Sequence, residues 1–202
     1  TNILAIISGR LAGHTICLRG ESPLNQELLK SKQNRWLKRI LFKGFIFPFI
    51  HKFLFIGTQN KSFYMYYGVK EGRLLFVPYA VDNDRFQKAA ELLIPQKKQL
   101  RQQLGLPVDA TIILFTAKFI EKKRPMDLLQ AYQNLQVKNK CLVMVGDGEL
   151  LPSMQAFIKE RRLEDVFLPG FINQSEIVKY YALADVFVMC SGEGETWGLS
   201  VN

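Results

Sequence analysis

From Thr111 onward the chain alternates short apolar runs with longer mixed stretches, and this rhythm limits its fold more than any other feature. Thr111–Thr116, Cys141–Val145, Val166–Leu168 and Val186–Cys190 have the length and the β-branched or aromatic content of buried strands. Between them, Pro125–Gln136, Leu150–Arg161 and Gln174–Ala184 are long enough for helices, and Pro125 fits a helical first turn, where its missing N–H costs nothing. Strands that alternate with helices of ten or so residues predict a parallel, Rossmann-like sheet. Three of the apolar runs break at glycine, in Val145-Gly-Asp-Gly148, Pro169-Gly170-Phe171 and Cys190-Ser-Gly192. Open parallel sheets bind ligands outside the carboxyl ends of their strands. The ligand region is therefore expected within Cys141–Asn202.

The first eighty residues repeat the rhythm less cleanly. Asn2–Ala12 reads as a buried helix closed by Gly13, His14–Leu18 as a short strand, and Leu24–Gln33 as a polar loop. Lys52–Gly57, Asn60–Tyr67 and Arg73–Val77 give a strand, a helix and a strand. The composition then changes, and Arg85–Gly105 is a Gln- and Lys-rich helical stretch broken at Leu106-Pro107. The expected division is a first domain over 1–84, a linker region over 85–110 and a second domain over 111–202. The start inside an apolar segment and the end inside a loop motif suggest a fragment, with both domains incomplete.

The net charge of +9 bears on partners. No Asp or Glu occurs between Lys30 and Lys70, and more cations gather at Lys118–Arg124. Such a balance suits phosphate-bearing ligands or an anionic membrane surface. No nucleic-acid-binding signature accompanies it, so no nucleic-acid partner is expected. Arg35–Phe53 mixes cations with Trp36 and several phenylalanines, and supports two readings. It is either an amphipathic helix lying on a membrane face or a helix buried against the first sheet; the buried reading is slightly favoured, and the charges argue against a membrane span. Cys17, Cys141 and Cys190 are far apart in apolar runs and read as small buried residues of a reducing compartment. With no signal-peptide pattern, the expected location is the cytoplasm, with peripheral contact at the inner membrane face left open.

Lys118, Lys122, Lys123 and Arg124 follow a strand and precede a helix, where a cationic loop could clamp a diphosphate. On spacing alone a solvated charge run is the favoured reading, and the position at a strand-to-helix turn brings the two level. Gly146-Asp147-Gly148 would let backbone approach a ligand, though it is neither a dinucleotide fingerprint nor a Walker loop. Glu193 and Glu195 could accept hydrogen bonds from sugar hydroxyls, and the amides of Gly198–Val201 could face a phosphate. His14 and His51 are the only histidines and are read as structural or exposed. No zinc-ligand spacing and no covalent nucleophile stand out.

Taken together, these motifs resemble the retaining glycosyltransferases of family 4 (group 1), which have the GT-B fold of two Rossmann-like domains. Arg19-Gly-Glu-Ser22, Phe55-Ile-Gly57-Thr-Gln-Asn60 and Phe76-Val-Pro78 resemble the latter half of the acceptor domain. Phe115-Thr-Ala-Lys118 with Lys123, Val145-Gly-Asp-Gly148, Pro169-Gly-Phe171 and Glu195-Thr-Trp-Gly-Leu199 resemble the nucleotide-sugar domain. The resemblance implies that Lys118 and Lys123 contact the donor diphosphate, Lys118 standing where the family has Arg. It further implies that Gly146 and Gly148 flank the nucleotide, that Phe171 and Ile172 meet the base, that Glu195 contacts the donor sugar, and that the Ser200 and Val201 amides face phosphate. The family's second Glu would fall directly after Asn202, so this stretch alone is expected to be inactive or nearly so.

The implied reaction moves a hexose from a nucleotide-diphosphate sugar to a saccharide or lipid-linked acceptor, with retention and in polysaccharide or glycoconjugate assembly. It needs no metal and no resident cofactor. A sugar-nucleotide 2-epimerase of the same fold and a non-enzymatic module binding membrane or a partner remain the competing readings.

Overall fold

The computed structural model describes residues 2–192 and 195–201. The chain divides into two compact units, the first ending at Ala80 and the second beginning at Val81.

In the first unit, α1 (Asn2–Leu11), β1 (Cys17–Arg19), α2 (Leu24–Leu28), α3 (Lys32–Ile40), β2 (Lys52–Phe55), α4 (Thr58–Tyr66) and β3 (Leu74–Phe76) follow in order. The three strands form a parallel sheet in the order β1-β2-β3, with Cys17 beside Lys52 and Phe53 beside Leu74. Phe53 is fully buried at its centre, surrounded by Phe47, Phe63, Tyr64 and Tyr67. The rings meet mostly edge to face, Phe47 at 4.7 Å and 71° from Phe53, a favoured aromatic geometry. Residues 24–28, expected as loop, form α2 because Glu27 is drawn inward. Its carboxylate takes hydrogen bonds from Tyr67 Oη at 2.6 Å, Lys38 Nζ at 2.9 and 3.0 Å, and Lys30 Nζ at 2.9 Å. Burial alone would raise the Glu27 pKa, but these donors outweigh it and hold the group at about 2. Cys17, expected buried, is exposed, because the alternation of β1 turns its side chain away from the core.

After α3 the chain widens into a π-helix at Leu41–Ile46 and tightens into a 3-10 turn at Phe47–Phe49, where Pro48 cannot continue the helical bonding. His51 lies beyond this helix, just ahead of β2, where its Nδ1 accepts the Ile16 N–H at 2.9 Å.

The second unit runs α5 (Asn83–Leu93), α6 (Lys97–Gln103), β4 (Thr111–Thr116), α7 (Pro125–Asn134), β5 (Lys140–Val145), α8 (Leu151–Arg161), β6 (Val166–Gly170), α9 (Ile177–Leu183) and β7 (Val186–Phe187). All four strands are parallel, in the order β6-β5-β4-β7. Strands β4 and β5 read as nearly unbroken apolar runs because they are covered on both faces, by Leu100, Leu106 and Leu183 on one and by Leu129, Tyr132 and Met154 on the other. Strand β7 is shorter than its apolar run. Ladder pairing stops at Phe187, although the Val188 N–H still reaches the Leu114 carbonyl at 2.8 Å.

The stretch expected as a linker over 85–110 belongs to the second unit. Helices α5 and α6 occupy most of it, and Leu100, Leu106 and Ala110 enter the core. The anchor is Arg101, which is buried and donates to the carbonyls of Val108, Ala110 and Leu183 and to Asp185 Oδ2. Asp185 in turn accepts the Ile112 N–H at 2.7 Å, so the start of β4 and the start of β7 share one carboxylate.

Candidate functional site

The chain runs outward from β4 through β5 to β6, then returns to place β7 on the other side of β4. That reversal is the topological switch point of a doubly wound sheet, where the loops after the two central strands part and leave a crevice. Here the diverging loops are Ala117–Arg124, after β4, and the segment from Val188 onward, after β7. They are tied together: the Gly192 N–H donates to the Lys122 carbonyl at 3.0 Å, and Cys190 Sγ lies 3.4 Å from the carbonyl oxygens of Lys123 and Arg124. Arg124 turns the chain into α7 with φ at 52°, a left-handed conformation in which Pro125 can follow as the first helical residue.

A cavity of about 700 Å³ opens at the carboxyl ends of β4, β5 and β6. Its lining joins Lys118 from the first loop, Gly146-Asp147-Gly148 from the second, Phe171 and Ile172 from the third, and Thr116 and Ile177. Five of the expected residues thus meet in one place: Lys118, Gly146, Gly148, Phe171 and Ile172. Phe171 is 77% exposed, an aromatic ring held at the mouth of a cavity rather than in a core. The two glycines have a reason that sequence reading missed. A Cβ at Gly146 would overlap the Ala117 carbonyl oxygen, and one at Gly148 would come within 2.5 Å of the Phe119 carbonyl oxygen. Neighbouring backbone, before any ligand, demands glycine here. The two loops are joined by the Phe119 N–H to Asp147 O bond at 2.9 Å and the Leu150 N–H to Phe119 O bond at 3.0 Å.

Lys123 and Glu195 lie at the switch point and bond to each other, Nζ to Oε2. Both side chains are about one-fifth exposed. Burial pushes the Glu195 carboxyl up, but the hydrogen bond and charge of Lys123 prevail and hold it below the ordinary carboxylate range. The second oxygen, Oε1, accepts the Gly198 N–H at 3.2 Å. Glu193 lies outside the described residues. Ser200 and Val201 line a separate hollow of about 380 Å³, against Phe86, Ala90 and Tyr181. Tyr181 links the two cavities, its hydroxyl lying 2.8 Å from Thr116 Oγ1 and donating to the Ser200 carbonyl at 3.0 Å. Thr116, Asp147, Ile177 and Tyr181 were not singled out from the sequence; position at a strand end could have flagged Thr116, but nothing in the pattern pointed to Tyr181. Among the described residues no group of three or more His, Cys, Asp or Glu side chains is placed to hold a metal ion.

Residues 96–202, more than half of the chain, match the family described as glycosyl transferases group 1. The chain belongs to that family. Among curated relatives, it is 26% identical over 133 residues to the alpha-monoglucosyldiacylglycerol synthase of Acholeplasma laidlawii, which covers 64% of this chain and 33% of the relative. It is 30% identical over 138 residues to a D-inositol 3-phosphate glycosyltransferase of Xylanimonas cellulosilytica, covering 66% and 33% respectively. The chain therefore spans about a third of the length of these relatives. Among solved structures, Anabaena HepE in complex with UDP and glucose superposes with a TM-score of 0.71 at 17% identity, over 98% of this chain and 52% of that one. Sucrose-phosphate synthase from Thermosynechococcus elongatus gives 0.65 at 19% identity, over 98% and 50%. These likenesses establish the fold, which is that of the GT-B glycosyltransferases. In this group 1 chain the cavity belongs to the family-matched half, as do Lys123 and Glu195.

Proposed function

We propose that this chain carries the donor site of a retaining, family 4 glycosyltransferase that moves a hexose from a nucleotide-diphosphate sugar to a saccharide or lipid-linked acceptor. The carrying observation is the meeting of Lys118, the Gly146–Gly148 turn and the Phe171 ring around one cavity at the strand ends, with Lys123 on the same loop as Lys118 and paired to Glu195. The base would lie against Phe171 and Ile172, where an exposed ring offers a stacking face. The diphosphate would extend toward Lys118 and Lys123, whose charges would stabilise the departing nucleoside diphosphate as negative charge builds on it. Glu195 would accept hydrogen bonds from the sugar, and the Ser200 amide would face phosphate; the Val201 N–H, expected to do the same, is held by the Gly198 carbonyl at 2.9 Å. Attack from the face the nucleotide leaves would give retention, without a metal or a resident cofactor. The UDP complex of HepE makes uridine diphosphate the first nucleotide to try. A cytoplasmic role in polysaccharide or glycolipid assembly follows from the same reading, in keeping with the glycolipid and inositol-phosphate names of the relatives.

The test is calorimetric titration of UDP and GDP into the full-length protein and its Lys123→Ala variant. Saturable binding of one nucleotide, weakened about 10- to 100-fold in the variant as expected for a lost charged hydrogen bond, is the expected result. Equal affinity in both proteins would remove Lys123 from the site. A product assay that returned an epimerised donor instead of a new glycoside would replace transferase by epimerase.

A further inference from the structure

The helix leading out of the Glu27 cluster has two faces of different character. Arg35, Lys38, Phe42 and Ile46, at helical spacing, turn inward and are partly buried. Phe42 and Ile46 pack on the first unit's core, and Lys38 is tied to Glu27. The opposite face carries Trp36, Leu37, Ile40, Leu41 and Phe45, all exposed, with Trp36 at 66% and Phe45 at 65%. The π-helical turn at Leu41–Ile46 continues this stripe past the end of α3, and such turns are rare and concentrate at functional sites. An apolar stripe this prominent needs a reason, since isolated exposed apolar residues are ordinary but contiguous ones are not.

Beside the stripe lies a small hollow of about 170 Å³, lined by Lys32, Arg35, Trp36, Arg39 and Tyr66. None of its three cations is in an ion pair among the described residues, while Lys30 and Lys38 are both paired with Glu27. Arg39 donates to the Tyr66 carbonyl at 2.8 Å and stacks on its ring, which fixes the guanidinium at the rim. Arg35 Nε is buried and has no hydrogen-bond partner among the described residues. A buried guanidinium N–H left in that state is costly unless an acceptor completes it. The nearby carboxylate, Glu27, is already taken up by Lys30, Lys38 and Tyr67.

We propose that this face docks on an anionic lipid bilayer, with Trp36, Leu37, Leu41 and Phe45 entering the headgroup–acyl boundary and Lys32, Arg35 and Arg39 cradling a lipid phosphate. The chemistry of both halves fits. Trp favours the interfacial region, an amphipathic helix binds through its apolar face, and cations at its edge add attraction to anionic headgroups. No helix among the described residues is long and apolar enough to cross a membrane, so the contact is peripheral. The sequence set burial against membrane contact; on this proposal the two belong to different faces of one helix. The inference does not rest on the proposed reaction, because every residue in it lies in the first unit.

The experiment is sedimentation of the full-length protein with phosphatidylcholine vesicles and with vesicles containing phosphatidylglycerol, over a range of salt. Binding to the anionic vesicles that weakens as salt rises is expected. A Lys32→Gln, Arg35→Gln, Arg39→Gln variant should bind about a hundredfold more weakly, as expected for three cations near a charged surface. Trp36→Ser with Phe45→Ser, two exposed positions whose change leaves the core intact, should weaken binding at least about tenfold. Lys123→Ala should leave vesicle binding unchanged, which keeps this result separate from the nucleotide titration. Anionic vesicles no better than neutral ones, or full binding retained in both multiple variants, would overturn the proposal. Binding of inorganic phosphate by the wild type with no vesicle binding would also overturn it, by making the cradle a site for a free anion.

Discussion

Two ion pairs in the second unit hold the same span of chain at its two ends, and they are built for different ends. Arg101 and Asp185 meet where β7 begins; Lys123 and Glu195 meet beyond where it ends. Arg101 makes five hydrogen bonds, as many as a guanidinium has donors, and four of them go to backbone carbonyls that cannot leave. Lys123 Nζ has one partner among the described residues, the Glu195 carboxylate, and an ammonium has three donors. The first pair is saturated and fixed. The second has capacity to spare, and a diphosphate could take the place of its carboxylate. Chemistry at a charged pair is therefore better judged by unused donors than by burial or by distance.

The sharpest way to break this contrast is Arg101→Ala. It would leave the Asp185 carboxylate and three backbone carbonyls short of their donor, and a loss of about 3–5 kcal/mol in the second unit is expected by denaturant unfolding. If Arg101→Ala cost no more than Lys123→Ala, the distinction would fail, since the latter should stay within about 1 kcal/mol for a partly exposed pair.

A second test extends the contrast to Glu27, a carboxylate of the fixed kind. Its folded pKa of about 2 lies below the ordinary 4.5, so the folded state binds fewer protons than the unfolded one in the interval between. Its contribution is thus whole above about pH 4.5 and is lost as pH falls toward 2. Acid unfolding of the first unit, followed by Trp36 fluorescence, should steepen through that window in the wild type. In Glu27→Gln the first unit should be less stable at neutral pH and less sensitive to acid across the same range. An unchanged acid profile in that variant would mean that the donors around Glu27 are not what lowers its pKa.

The smallest effect is the most informative about the spare pair. Glu195→Gln removes the charge that now occupies Lys123. It should tighten binding of the bare nucleoside diphosphate by about two- to tenfold, a gain of the order of one surface ion pair. The nucleotide sugar should gain less or lose, because the proposed sugar contact goes with the carboxylate. Parallel titrations of the two ligands check this. Equal gains for both would leave Lys123 as the freed cation but would take Glu195 out of sugar recognition.

How far the sequence foretold this molecule follows from what each element rests on. Strand β4 was legible to the residue because Ile112–Phe115 is an apolar run covered on both faces and bounded by threonines. Residues 85–110 were legible as helix but not as core, since a Gln- and Lys-rich helix reads as solvated and the buried member is an arginine. The covering of Arg101 depends on carbonyls up to 82 residues away, which no local pattern carries. Lys118 and the glycine turn were placed by strand ends, a local signal. The Thr116–Tyr181–Ser200 chain was not visible, because it joins three elements through two hydroxyls and the Ser200 carbonyl, which no local pattern marks. On the first unit's helix, the amphipathic pattern was legible while the side that faces in was not, since that needed Glu27, forty residues from Tyr67, to define it.

The glycine turn has a consequence for reading relatives of this chain. Gly146 and Gly148 are constrained by the carbonyls of Ala117 and Phe119, so the fold would keep them even in a relative whose cavity binds nothing. Lys118 and Lys123 meet no such steric demand. In a lineage drifting toward inactivity the glycines would outlast the lysines, and a conserved Gly-Asp-Gly there would testify to architecture alone.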